Sequence, residues 1–178
     1  MAKRRDRGSA NQVALVGMIT ALSLAFLYLS TLSPMARLGI TAIAGVFPAG
    51  AVVSSGMGAG FFSYGATGIL GLLLLPNKSC VILYLLFFGL WPMLKSLLER
   101  LPNRVLEWVC KLLVFNGILA VLLLGLRELL LPFLPTGLEG NWLIFAAGNV
   151  AFVIYDVGFS KLIGLYMARV DRVLRKRT

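Results

Sequence analysis

Residues 13–32 read VALVGMITALSLAFLYLSTL, twenty consecutive positions without a charged side chain, preceded by the basic cluster Lys3, Arg4, Arg5 and Arg7. A helix needs about 20 mainly apolar residues to cross the hydrocarbon core of a bilayer. A cleaved export signal also begins with basic residues, but its apolar core is only about 7–15 residues long. This run is long enough to span, and further apolar runs follow it, so a retained first span is expected. Ser33-Pro34 ends it, because proline lacks the amide hydrogen that would continue the helix.

Outward from this run the pattern repeats. Spans are expected at 38–54, with Pro48 inside; at 57–75, closed by Pro76-Asn77-Lys78; at 79–98, with Pro92 near its end; at 106–131, closed by Pro132 and Pro135; and at 142–168. Pro48 predicts a kink or a broken helix. Of the 178 residues, 59% are apolar and 13% charged, a balance that a soluble domain of this size cannot hide beneath a polar coat. The fold class is therefore all-α: a polytopic membrane protein built as a bundle of about six transmembrane helices. Residues 1–12 form a basic N-terminal segment, 13–168 the membrane domain and 169–178 a basic tail.

The charges set the expected orientation. With the N-terminus in the cytoplasm, 14 of the 17 Lys and Arg fall inside: Lys3, Arg4, Arg5 and Arg7, then Lys95, Arg100, Arg104 and Lys111, then Lys161, Arg169, Arg172, Arg175, Lys176 and Arg177. Only Arg37, Lys78 and Arg127 fall outside. Positive charge concentrates on the cytoplasmic side, so both termini are expected there. The net charge of +10 then reflects topology and contact with anionic head groups of membrane lipids; no polar fold remains to bind nucleic acid. The stretch 95–111 reads as a charged helical connector at the surface, with Glu107 and Lys111 four residues apart. Trp91, Trp108 and Trp142 lie near span ends, where indoles anchor at the interface.

Chemistry is sparse. There is no histidine, Cys80 and Cys110 are far apart, and the seven acids are scattered, so no metal site, cofactor or catalytic residue is expected and the chain does not read as an enzyme. Gly56, Gly58 and Gly60 do not make a nucleotide loop; eight glycines between 45 and 71 point instead to close helix packing or an irregular segment lining a cavity. Two sets of residues stand out. Gly17, Ala21 and Ala25 recur every four residues on one face of the first span, which permits close approach of another helix, from this chain or from another subunit. Asn149, Tyr155 and Asp156 in the last span, with Asn116 in the fifth, are polar groups inside the membrane. A charge at that depth is by default functional or paired. Two roles are open for Asp156, lining a pocket for a polar small molecule or clamping helices together. For Asn116 the clamp is favoured.

This architecture, together with Ala21-Leu22-Ser23-Leu24-Ala25 in the first span and the glycine- and alanine-rich run after it, resembles the substrate-binding S components of energy-coupling factor (ECF) transporters. Ala21 and Ala25 are similar to the AxxxA element with which those proteins contact their coupling subunit. The resemblance implies capture of a vitamin-like small-molecule substrate at the outer face of a bacterial plasma membrane. Uptake would be driven by a coupling subunit with two ATPase subunits, this chain hydrolysing nothing. It also implies a pocket made from the outer halves of spans 4 to 6 and the loop after span 1. A competing expectation is a membrane scaffold for cell-envelope assembly, resembling the rod-shape protein family, with protein partners, no small ligand and the 95–111 connector as its docking surface.

Overall fold

The computed structural model describes residues 2–130 and 141–175, with side chains for residues 10, 12–128 and 142–168. Among the described residues, eight α-helices follow in order: α1 (Ala2–Leu32), α2 (Arg37–Ser55), α3 (Met57–Leu74), α4 (Lys78–Leu83), α5 (Trp91–Leu98), α6 (Arg104–Gly125), α7 (Arg127–Leu130) and α8 (Asn141–Arg175). A π-helical segment, Tyr84–Phe88, joins α4 to α5. Among the described residues, six helical stretches are long and apolar enough to cross a membrane: Gln12–Leu32, Arg37–Ser55, Met57–Leu74, Lys78–Leu98, Arg104–Gly125 and Trp142–Ala168. The fold is thus an all-α bundle of six candidate spans, the class of a multi-pass membrane protein. Val13, Phe62, Leu73, Leu124 and Leu165 are each at least 67% exposed, an arrangement that lipid accommodates and water would not. The expected outer loop Thr136-Gly137-Leu138-Glu139 and the closing prolines Pro132 and Pro135 lie outside the described residues.

The chain packs as two compact units, residues 1–97 and 98–178. In the first, α1 buries a stripe of Thr20, Ser23, Leu27 and Ser30, spaced three and four apart as one helical face requires. Leu27 joins Ala44, Leu75, Val81 and Tyr84 in the core. Gly56 alone connects α2 to α3, at φ 89°, a left-handed conformation that glycine adopts without strain. Gly45 has a different reason. A Cβ there would lie 2.4 Å from the Phe88 carbonyl oxygen, so only glycine lets α2 approach the π segment this closely.

Both intramembrane prolines are absorbed by neighbouring side chains and backbone. α2 is a continuous helix through Pro48, not a broken one. Pro48 has no amide hydrogen for the carbonyl of Ala44, and Ser23 Oγ on α1 donates to that carbonyl instead, at 2.8 Å. The span expected at 79–98 is present as Lys78–Leu98, with the π segment inside it. Pro92 cannot donate to Phe88, and the chain preceding it widens into the π turn, with Gly89 donating to the Tyr84 carbonyl five residues back. Tyr64 OH then donates to the Leu85 carbonyl within that turn, at 2.8 Å.

Three further expectations change. The fifth span ends at Gly125 rather than running to 131, since Gly125 and the charged pair Arg127-Glu128 break the apolar helix there. The 95–111 connector reduces to a short turn, 99–103, between α5 and α6. Lys95 lies buried within α5, and Asn103 caps α6 by accepting from the Val105 amide at 3.0 Å. Trp91 is fully buried, its ring 5.4 Å from that of Phe87, so it is a core residue and not an interfacial anchor.

Candidate functional site

The second unit holds the polar groups that the sequence singles out. α6 and α8 run antiparallel, and their contacts form tiers along a seam, each step down α6 matched by a step up α8. At one tier, Lys111 on α6 meets Asp156 on α8, Nζ to Oδ2 at 3.1 Å. At the next, the rings of Phe115 and Phe152 stack with centroids 4.4 Å apart and planes 12° from parallel. Beyond them Asn116 and Asn149 exchange amide hydrogen bonds, each 2.9 Å long. Finally Leu119 closes on Gly148, where an added Cβ would stand 3.1 Å from Leu119 Cδ2.

The periodicity of α8 explains the order. Asn149, Phe152, Asp156 and Phe159 follow at three, four and three residues, so one face presents amide, ring, carboxylate and ring in turn. Phe152, Asp156 and Phe159 are all at most 3% exposed. Tyr155 is half-buried beside this face, with its ring 5.7 Å from Phe159.

Lys111 is the centre of the charged tier. Its ammonium lies 2.7 Å from Glu107, 3.1 Å from Asp156 and 3.4 Å from Glu99. An ammonium has three donor hydrogens, and here three carboxylates converge on it. It also sits 5.4 Å from the centre of the Trp108 ring, within range of a cation–π attraction. Exposure falls along the carboxylates, from 45% at Glu99 through 17% at Glu107 to 3% at Asp156, while Lys111 itself is 2% exposed. The cluster therefore reaches from a solvent-facing turn into the interior of the unit. Burial strengthens each of these attractions and makes loss of any one charge costly.

This arrangement corrects two sequence expectations. The acids are not scattered: three of the seven in the sequence meet at one lysine. Lys111 does not belong to a surface connector; it lies two turns inside a candidate span. Lys161, five residues beyond Asp156 on α8, is exposed. The i, i+4 spacing of Glu107 and Lys111 was the signal available in sequence. Asp156, 45 residues further along, has no sequence signal that couples it to Lys111.

The amide tier is closed on itself. Asn116 Nδ2 donates to the Leu112 carbonyl and to Asn149 Oδ1, and Asn149 Nδ2 donates to the Phe145 carbonyl and to Asn116 Oδ1. All four amide hydrogens thus have protein acceptors, the geometry of an interhelical clamp. Among the described residues no group of three or more His, Cys, Asp or Glu is arranged to hold a metal ion.

On α1, Gly17, Ala21 and Ala25 are all exposed, on the side away from the buried stripe of Thr20, Ser23, Leu27 and Ser30. A Cβ added at Gly17 would meet nothing within 4 Å. Among the described residues of the first unit, the small-residue face is therefore not used for packing. No protein-family model, no curated protein and no solved structure matches this sequence and fold.

Proposed function

We propose that this protein is the substrate-binding membrane subunit of an ECF-type uptake transporter, taking up a vitamin-like micronutrient across a bacterial plasma membrane and relying on a separate coupling subunit with ATPases for energy. The observation that carries this reading is the face of Gly17, Ala21 and Ala25. It is smooth, and the described helices of the first unit leave it uncovered. In lipid, helix association depends on close packing, and small residues at four-residue spacing are what permit it. A face of this kind on the first span suits docking of a coupling-subunit helix.

In this reading Asn116, Asn149, Tyr155 and Asp156 form the polar ground for a small ligand. A ligand amide entering there can both donate to and accept from the two asparagines, in place of the bonds they make to each other, so binding and opening of the α6–α8 seam are coupled. The test is affinity purification from the native membrane in mild detergent, followed by native mass spectrometry. A retained small molecule and a co-purifying ATPase module are expected, with the module lost from Ala21→Leu and Ala25→Leu. Absence of any small molecule, with the module or other partners unaffected by those substitutions, would overturn the reading. Loss of partners on reversing Arg100 and Arg104 to Glu would favour the scaffold instead.

A further inference from the structure

The π segment changes which carbonyl the Gly89 amide reaches. In an α-helix Gly89 would donate to Leu85, four residues back. Here it donates to Tyr84, five residues back, at 2.7 Å. The Leu85 carbonyl is taken by the Tyr64 hydroxyl of α3, at 2.8 Å. The phenol therefore occupies the acceptor that the Gly89 amide would need in the α register. Inside a membrane, backbone polar groups must find partners within the protein. The π and α registers are thus alternatives in which one donor to Leu85 is exchanged for another.

The packing around the turn suits this exchange. Gly89 is buried against Tyr64 and Tyr84, whose ring centroids lie 6.0 Å apart. A Cβ at position 89 would stand 2.6 Å from Tyr84 Cζ and 2.8 Å from Tyr64 Cδ2, so glycine is what lets Tyr64 reach over the turn. Single π turns of this kind are rare and concentrate at functional sites. The half of the span after the turn is held by Trp91 and Met93, both 0% exposed. Closing the turn to α therefore passes its surplus residue outward. Each residue of α4 moves into the place of the one before it, a rotation of about 100° and a rise of about 1.5 Å. Cys80, 0% exposed, then stands where the half-buried Ser79 stands now.

We propose that the Tyr84–Phe88 turn is a two-register switch in this span, with the Tyr64 hydroxyl as its latch. While Tyr64 holds the Leu85 carbonyl, the π register persists. When the hydroxyl leaves, the Gly89 amide takes that carbonyl and the turn closes to α. The α4 segment then rotates against α1, α2 and α3, which it contacts. The trigger is an event on α3 that withdraws the phenol, either a shift of that helix or a competing hydrogen-bond acceptor. The inference does not depend on the transport reading.

The experiment is thiol labelling of Cys80 by a small maleimide, on the full chain in detergent micelles. Cys110→Ser leaves Cys80 as the one thiol, since the sequence has two cysteines. Tyr64→Phe removes the latch hydroxyl and keeps the ring. It should speed labelling about tenfold, the population shift that loss of one hydrogen bond produces. The parent, brought to the same melting temperature with denaturant, should stay slow, which separates a register change from general loosening. Gly89→Ala, whose methyl displaces the tyrosine rings, should also speed labelling, and adding it to Tyr64→Phe should give little more, because both release one latch. Unchanged labelling in Tyr64→Phe, or a rise no larger than in the stability-matched parent, overturns the proposal. It is overturned equally if the effects of Tyr64→Phe and Gly89→Ala multiply.

Discussion

Replacing Lys111 by Met keeps most of the side chain's length and removes the ammonium on which Glu107, Asp156 and Glu99 converge. The magnitude follows from burial. Lys111 and Asp156 are 2% and 3% exposed, and removing one partner of a buried pair costs about 3–5 kcal/mol. Glu99, at 45% exposure, adds no more than about 1 kcal/mol because solvent screens it. Lys111→Met should therefore lower the unfolding free energy by about 3–5 kcal/mol, a large part of the roughly 5–15 kcal/mol typical of a folded domain. Asp156→Asn, which retains shape and hydrogen-bonding atoms, should cost about 1–3 kcal/mol. The double variant should cost less than the two single losses combined, since each removes the same contact. Denaturant unfolding in mixed micelles reads these values, with the fluorescence of Trp108, beside the Lys111 ammonium, as the local probe. A Lys111→Met protein within about 1 kcal/mol of the parent, or strict additivity in the double variant, would refute the assignment of Lys111 as the centre of the cluster.

Two other perturbations test the seam and the proline site. Truncating Asn116 or Asn149 to Ala should each cost about 0.6 kcal/mol and at most about 1.7 kcal/mol, the range for interhelical hydrogen bonds in membranes, with strong non-additivity in the double variant. Full additivity in the same micelle assay would separate the two residues. Ser23→Ala leaves the Ala44 carbonyl without its donor and should cost about 1–3 kcal/mol. Its cost should shrink in a Pro48→Ala background, where the restored backbone amide supplies the bond; an equal cost in both backgrounds would contradict the compensation.

Much of the fold is legible because span boundaries depend on local features. Ser33-Pro34, Pro76-Asn77 and Asn103 lie at or next to the ends of helices, and an uncharged run of about 20 residues leaves little freedom in where a span lies. What escapes a sequence reading depends on residues brought together by folding. Pro48 signals a break, but the donor that keeps α2 continuous is Ser23, 21 residues from the carbonyl it serves. Lys111 looks like the edge of a connector because its nearest charges, Arg104 and Glu107, sit at a helix start; its burial follows from Asp156 on α8. Trp91 falls near a span end by counting, yet the π turn rotates it into the core against Phe87. For Asn116 and Asn149 the sequence places polar groups on facing helices, and the hydrogen bonds add that both amides are already committed to one another.

The docking face of α1 is the claim on which the functional account depends, and site-specific photocrosslinking tests it directly. A photoreactive residue placed in turn at Gly17, Ala21 and Ala25, and for comparison at Thr20, Ser23 and Leu27, is activated in native membranes. Crosslinks to one membrane protein that co-purifies with ATPases, from positions 17, 21 and 25 and not from 20, 23 or 27, are the predicted result. Adducts only to lipid from positions 17, 21 and 25, with no protein partner, would contradict it.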